Sequence, residues 1–435
     1  MPAGRDRLMD GFGLRLPTIQ NWSCHSCGEC CRRHVVEITE AERQTILEQG
    51  WKDDDEFTEG TPVLVRDLGP FWNRRWRLGQ KPDGACVFLD EAGLCRIHAK
   101  YGEPTKPLAC RVYPYAFHPQ GRQVTVSLRY SCPSVVENRG QRVADQQEVL
   151  QAMAREVVPE GITRAPAPGL RRQGDLEWVP FRQFVHSLEE LIAPADVPIA
   201  TKLASAVRFV DLVSESRVDR LSSAQLVDFV EILRETSRSE VEAIALGGQG
   251  DSEPLSRVGR LLFRMLAAQY ARNDSLSNWR TGFWGRTRML RVGVRFALGR
   301  DMVPSMQDID QPVSFEQLER PFGGLTPAAE EMFSRYFRVK ISGLQFCGRA
   351  FFGFGLIEGF RSLALVFPSM LWLARLMAAA DGRDRLETAD VAKAIELADH
   401  YHGYTPQFNR FQYRWQIAML ARTGDISRAI AWYSR

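Results

Sequence analysis

The sequence predicts an α+β protein, predominantly α, in which a small irregular cysteine-rich module is followed by an all-helical domain. Eight of the nine cysteines (Cys24, Cys27, Cys30, Cys31, Cys86, Cys95, Cys110 and Cys132) precede residue 133, and only Cys347 lies beyond. In that first part short β-like pieces alternate with turns, whereas later apolar residues recur at helical spacing. A length of 435 residues, with 44% hydrophobic and 25% charged residues, describes a folded globular chain with room for two or three domains. The expected division is a cysteine module over residues 1–140, a linker or covering loop over 141–180 and a helical domain over 181–435.

In the module, Val35, Val36 and Ile38 form a short apolar segment. Thr39 with Glu42 three residues later makes a capping box, which opens a helix running to about Gln49 and stopped by Gly50. Cys86 to Cys95 reads as a hairpin with Gly93 in its turn. Val124, Val126, Leu128 and Tyr130 alternate with polar residues, a half-buried strand leading into Cys132. From Val158 to Trp178 the chain is rich in Pro, Gly and Arg and shows no period.

Beyond this, Phe181, Phe184, Val185, Leu188, Leu191 and Ile192 share one helical face, and Leu226, Val227, Val230 and Leu233 share another. Thr326 and Pro327, with Glu330 and Glu331 in the first turn, start a helix whose apolar face is Met332, Phe333, Tyr336 and Phe337. The stretch Ser362 to Ala374 lies between Arg361 and Arg375 and falls short of the roughly 20 residues a membrane span needs, so it predicts a buried helix and no membrane span. Thr388, Val391, Ile395 and Ala398 mark a further helix ending near Gly403.

The first residues hold no apolar run of secretory type, so the thiols are expected in the reducing cytoplasm. Lys and Arg number 56 against 53 Asp and Glu, a formal charge of +3, which excludes a nucleic-acid footprint over the whole surface.

Cys24-x2-Cys27-x2-Cys30-Cys31 sets four thiols in eight residues. A two-residue gap lets two thiolates turn toward one ion. Cys-x2-Cys-x2-Cys with a distant Cys-Pro, here Cys132-Pro133, is the ligand spacing of a 4Fe-4S cube, the favoured occupant. Eight thiolates also suit two tetrahedral zinc sites, and disulfides or bare thiols stand third. Side chains of adjacent Cys30 and Cys31 are expected to point apart and not both to serve one mononuclear site, so that one either supports the ligands from behind or feeds a second site. His25 and His98 are candidate extra ligands or hydrogen-bonding neighbours. Cys347 reads as a small core residue.

The CxxCxxCC block with Arg32, the helix start after Val36, CVFLDEAGLCRIH at Cys86 to His98, and KPLACRVYP at Lys106 to Pro114 together resemble the bacterial YkgJ-type cysteine-cluster family, described as zinc- or iron-chelating domains. The resemblance covers about the first 135 residues. A cysteine cluster joined to a long helical region is also similar in arrangement to flagellin lysine N-methylases. That likeness implies an iron–sulfur cluster, S-adenosylmethionine as methyl donor and flagellin as protein partner.

The residues themselves add little to that chemistry. Cys27 and Cys31 have the first gap of a radical S-adenosylmethionine motif, but no cysteine follows at the second. Ala243-Ile-Ala-Leu-Gly-Gly-Gln-Gly250 follows a helical segment and has the wrong glycine spacing for a Rossmann loop, so it reads as a helix end and turn. Arg32 and Arg33, Arg74, Arg75 and Arg77, and Arg288, Arg291 and Arg295 are either solvated faces or groups that offset thiolate charge. No Ser-His-Asp order, HExxH, Walker loop or EF-hand pattern supports a hydrolase.

Overall fold

The computed structural model describes residues 12–53, 56–66, 75–159, 161, 165–171, 176–218, 221–246, 253–271, 283–304 and 311–435. Among these the chain forms seventeen α-helices and two small sheets, so it is α+β and predominantly α, with a small N-terminal module ahead of the helical region.

The module opens with β1 (Gly13–Arg15), α1 (Glu29–Arg33), β2 (Glu37–Ile38), α2 (Glu40–Glu48), β3 (Leu64–Arg66) and β4 (Trp76–Leu78). The expected capping box is present: the Thr39 hydroxyl accepts from Glu42 N, and the Glu42 carboxylate accepts from Thr39 N at 2.7 Å. Two N–H groups that an isolated helix end leaves unpaired are thereby satisfied. Strands β2, β4 and β3 pair antiparallel in that order. They cover a small core of Ile38, Ile46, Val63, Leu78, Cys86, Val87, Phe88 and Ile97.

Next come α3 (Arg96–Tyr101), α4 (Leu108–Val112), β5 (Tyr115–Gln120), β6 (Gln123–Leu128), α5 (Pro133–Val136) and α6 (Gln147–Val157). The sheet order is β1-β6-β5, with β6 parallel to β1 and antiparallel to β5. The alternation in β6 led to the expectation of one solvated face, but Thr125 and Ser127 are as buried as Val124, Val126 and Leu128. The reason is position: β6 is central, and its hydroxyls find partners inside. Thr125 Oγ1 donates to Gln120 Oε1 at 2.9 Å, and Ser127 Oγ donates to the Val339 carbonyl at 3.3 Å.

The helical region runs through α7 (Trp178–Ile192), α8 (Ile199–Glu215), α9 (Ser223–Leu246), α10 (Arg257–Tyr270), α11 (Phe283–Leu298), α12 (Phe315–Leu318) and α13 (Pro327–Ser342). It continues with α14 (Leu356–Ala380), α15 (Thr388–Tyr401), α16 (Phe411–Arg422) and α17 (Asp425–Ser434). The predicted face of α7 is buried throughout, and Thr326 caps α13 with Pro327 at its first position. On α9, Leu226, Val230 and Leu233 are buried, but Val227 is turned outward and exposed.

Helix α14 is apolar on nearly every side and lies in the middle of the large core, packed by α8, α15 and α17. Its buried Arg375 donates to the carbonyls of Leu318, Arg320, Tyr433 and Arg435, matching a fork of donors to loose helix ends. The Pro-rich loop lies over the start of α14: Leu356 N donates to Gly169 O at 2.9 Å, and Ala167 and Leu170 are buried. The large core also takes in Tyr115, Val126, Leu128, Tyr130 and Cys132, so β5, β6 and the turn after them pack with the helices.

Candidate metal centre

The segment Ser23 to Cys31 is held between two supports. On one side lies the turn closed by Gly93, whose N donates to Asp90 O while Asp90 Oδ1 accepts from Leu94 N at 2.7 Å. A Cβ at Gly93 would stand 3.2 Å from Ser26 O, so turn and segment are in close contact. On the other side Ser23 N donates to Arg139 O at 3.1 Å, and His25 Nδ1 lies 3.1 Å from Ser134 Oγ. Arg32 Nη1 donates to Cys27 O at 3.0 Å, closing the loop over itself.

The Cys86–Cys95 stretch closes as a short antiparallel hairpin with Gly93 in its turn, but the two cysteines do not face each other across it. Cys95 bridges to Leu89, and Cys86 is set against Cys31, donating its N–H to Cys31 O at 2.7 Å. Asp90 N donates to Leu94 O and Arg96 N to Phe88 O, both at 2.9 Å, on either side of the Leu89–Cys95 bridge.

The thiols act on one another across segments, and the charge of Cys30 is felt by Cys86, Cys110 and Cys27 alike. Cys86 is pushed up to about 12 by burial, with the charges of Cys110, Cys95 and Cys30 adding to the effect. Cys110 is also pushed up to about 12 by burial, reinforced by Cys95 and Cys30 and opposed by Lys106. Cys30 is driven far above the usual range by its hydrogen bond with Cys31 and by burial. The Cys30 and Cys31 sulfurs are 3.9 Å apart, closer than the expectation of divergent side chains allows. Both lie in the single tight turn of α1 that starts at Gly28 with φ 73°.

Cys27 is raised by burial, with contributions from Cys30 and Cys24. Cys132 is pushed up to about 11 by burial and senses Cys27, while the Trp22 indole favours its thiolate. Trp22 Nε1 is buried and has no nitrogen or oxygen partner among the described residues, a donor suited to a sulfur anion.

All nine cysteines are free thiols. Among the described residues no three His, Cys, Asp or Glu side chains are drawn close enough to hold one ion, so the fold gathers the segments without closing a ligand shell. The donor set itself fits soft or borderline cations: thiols in a partly buried shell, with an orphan N–H beside Cys132. A bound cation reverses the cost that burial places on thiolates. Of the two histidines singled out by spacing, His25 is a hydrogen-bonding neighbour and His98 is exposed on α3. Cys347 is buried in the large core, as a small apolar residue would be.

Sequence reasoning missed His34 and His400. His34 Nδ1 lies 3.2 Å from Cys30 O, and its ring is 4.8 Å from that of His400 on α15 and 4.9 Å from Tyr113. Burial and then the charge of Arg129 lower His34 to about 3 and His400 to about 4. The position of His34, four residues beyond Cys30, was the available signal.

Among the arginines, Arg33 pairs with Glu29 at 3.0 Å and Arg75 with Glu37 at 2.7 Å, and Arg291 and Arg295 are exposed. Arg74, the Arg288 side chain and residues 247–250 of the glycine run lie outside the described residues.

Residues 23–133 match the CxxCxxCC family model, whose members are described as candidate zinc- or iron-chelating domains. No curated protein and no solved structure matches the chain.

Proposed function

We propose that this is a cytoplasmic metal-binding protein whose N-terminal cysteines hold a 4Fe-4S cube in preference to zinc. Cys24, Cys27 and Cys132 make one set and Cys86, Cys95 and Cys110 the other, with Cys30 and Cys31 completing them. The observation that carries this reading is the convergence of separate segments: Cys86 N donates to Cys31 O at 2.7 Å, the Cys30 and Cys31 sulfurs stand 3.9 Å apart, and the charges of Cys30 and Cys95 act on both Cys86 and Cys110. Iron–sulfur chemistry is supported by the Cys-x2-Cys-x2-Cys spacing, and zinc by the tolerance of that ion for any set of four thiolates.

Anaerobically purified protein is expected to be brown and to contain iron and sulfide. Colourless protein with stoichiometric zinc refutes the cluster and leaves a zinc site. The metal also has a structural part to play, because Cys86 lies in the small core, against which Cys31 and Cys95 pack.

The resemblance to flagellin lysine N-methylases extends the reading to methyl transfer from S-adenosylmethionine to lysine side chains of a flagellin-type protein. Its support is the joining of a cysteine module to a long helical region. Transfer of labelled methyl groups to such a protein by the metal-loaded chain tests it. If the loaded chain binds no S-adenosylmethionine, that step fails and the metal has a structural or interaction role.

A further inference from the structure

Helices α10 and α11 pack against each other, and Arg264 Nη1 on α10 donates to Leu298 O on α11 at 3.2 Å. Their composition departs from that of the chain: residues 257–271 and 283–300 hold eight arginines and no Asp or Glu, although the formal charge of the whole sequence is only +3. Arg264 is engaged inside by Glu319 at 2.8 Å, and Arg295 donates to Met302 O at 3.1 Å. The side chains of Arg257, Arg291 and Arg300 are exposed and have no hydrogen bond or ion pair among the described residues.

Apolar side chains share this surface. Exposed aliphatics scattered singly are ordinary, but seven of the nineteen large hydrophobic residues exposed among the described residues fall between Val258 and Met302. On α10, Val258, Leu261 and Met265 line up at helical spacing, and on α11 Val294 and Leu298 do the same beside Arg291 and Arg295. Opposite them, Leu262, Phe263 and Leu266 of α10 and Phe296 of α11 are buried. The inward stripes hold the helices in the core, so the fold does not need the outward ones.

A basic surface without acidic neighbours is complemented by an anion, and aliphatic side chains set among the arginines are complemented by an apolar phase just beneath that anion. The interface of an anionic bilayer offers both, phosphates for the guanidinium forks and acyl chains below them. Nucleic acid offers the phosphates alone. A folded protein partner is held by anchors in pockets, and the cavities of about 460 and 170 Å³ are lined by other elements. We propose that the outward faces of α10 and α11 dock on an anionic lipid bilayer, arginines at the phosphates and Val258, Leu261, Met265, Val294 and Leu298 below them. The chain rests on the surface without crossing it: α14, long and apolar enough to span, keeps its place in the core.

The test is flotation of the intact, metal-loaded chain with vesicles of phosphatidylcholine alone, and with vesicles in which a quarter of the lipid is phosphatidylglycerol. Binding is expected to the second and not to the first, and should weaken steeply between about 0.1 and 1 M salt as the screening length falls from about 10 to 3 Å. Each arginine at the surface contributes about five-fold, so Arg257→Gln, Arg291→Gln and Arg300→Gln combined should weaken binding about a hundred-fold. Val294→Ser with Leu298→Ser should weaken it about ten-fold. The same triple change at Arg122, Arg142 and Arg155, exposed on the module, should leave binding nearly intact. All of these side chains reach solvent, and unchanged melting separates lost binding from misfolding.

No flotation with the anionic vesicles, equal flotation with phosphatidylcholine, or an equal loss in the module variant overturns the proposal. Binding that survives the two serines and is competed away by duplex DNA assigns the surface to polyanions at large and overturns it too. So does self-association at low salt without vesicle binding, which assigns the face to an acidic protein surface.

Discussion

Removing the carboxylate of Asp399 should damage this protein more than any surface change. Asp399 on α15 and Lys340 on α13 stand 2.6 Å apart with 1% and 5% of their side chains exposed. At an effective dielectric constant of about 20, that separation gives an attraction of about 6 kcal/mol. Desolvating the two ions offsets most of it. The same balance is visible in Lys340, which burial pushes below the usual range against the pull of Asp399.

Asp399→Ala removes the attraction but leaves the ammonium buried and frees Ser131 N, which donates to Asp399 Oδ2 at 3.0 Å. The expected loss is about 3–5 kcal/mol. Urea unfolding followed by tryptophan fluorescence measures it. Replacing both partners, Lys340→Met with Asp399→Leu, should recover more than half of that loss, because no uncompensated charge remains. A cost for Asp399→Ala below about 1 kcal/mol, or a double variant as damaged as the single one, would refute the reasoning.

Acid should weaken the fold partly through His402, which is 5% exposed, lies 2.9 Å from the Tyr270 hydroxyl and is lowered to about 3 by burial. Its folded value lies below the unfolded value of about 6.5, so its contribution is complete above that pH and is lost as pH falls from there toward 3. At pH 4.5 the loss is about 2–3 kcal/mol, and His402→Phe should show a correspondingly shallower acid limb in unfolding midpoints. Thr39→Ala should cost about 1 kcal/mol. Glu42→Ala should cost more and lower metal retention, because Glu42 Oε1 also accepts from Leu108 N at 2.6 Å, at the start of the helix bearing Cys110. At Gly140, where φ is 102°, an added Cβ would fall 2.3 Å from Ser23 N, so Gly140→Ala should cost about 1–3 kcal/mol or more and reduce metal per chain. Cys347→Ala should leave metal content unchanged, whereas Cys86→Ser should lower it, both read by elemental analysis of intact protein.

Several helices of the second half were readable because they bury one stripe of a 3.6-residue period, whereas α14 is buried on nearly every side. Phe181 to Ile192 and Met332 to Phe337 are cases where spacing and packing coincide. Val227 misled because it borders the stripe, and the helix needed only its three neighbours. The short elements of the module left no such trace: α1, α4 and α5 span five, five and four residues, less than two turns. Strands β1, β3 and β4 have three residues each, too few to show alternation. The cysteines were visible as a set from composition alone. Their grouping was not, since it depends on Gly93 approaching Ser26 and on Cys86 N reaching Cys31 O. The crevice of His34 and His400 joins residues far apart in sequence, and no local pattern announces such a meeting.

Because β6 runs through the middle of the larger core before delivering Cys132, the cysteine part cannot be lifted out as a cassette. A fragment ending near residue 140 would carry Val126, Leu128, Tyr130 and the Ser127 hydroxyl stripped of the helices that shelter them, and should aggregate. A graft that is to fold elsewhere must therefore bring α13 along, or supply a foreign surface that covers the same strand.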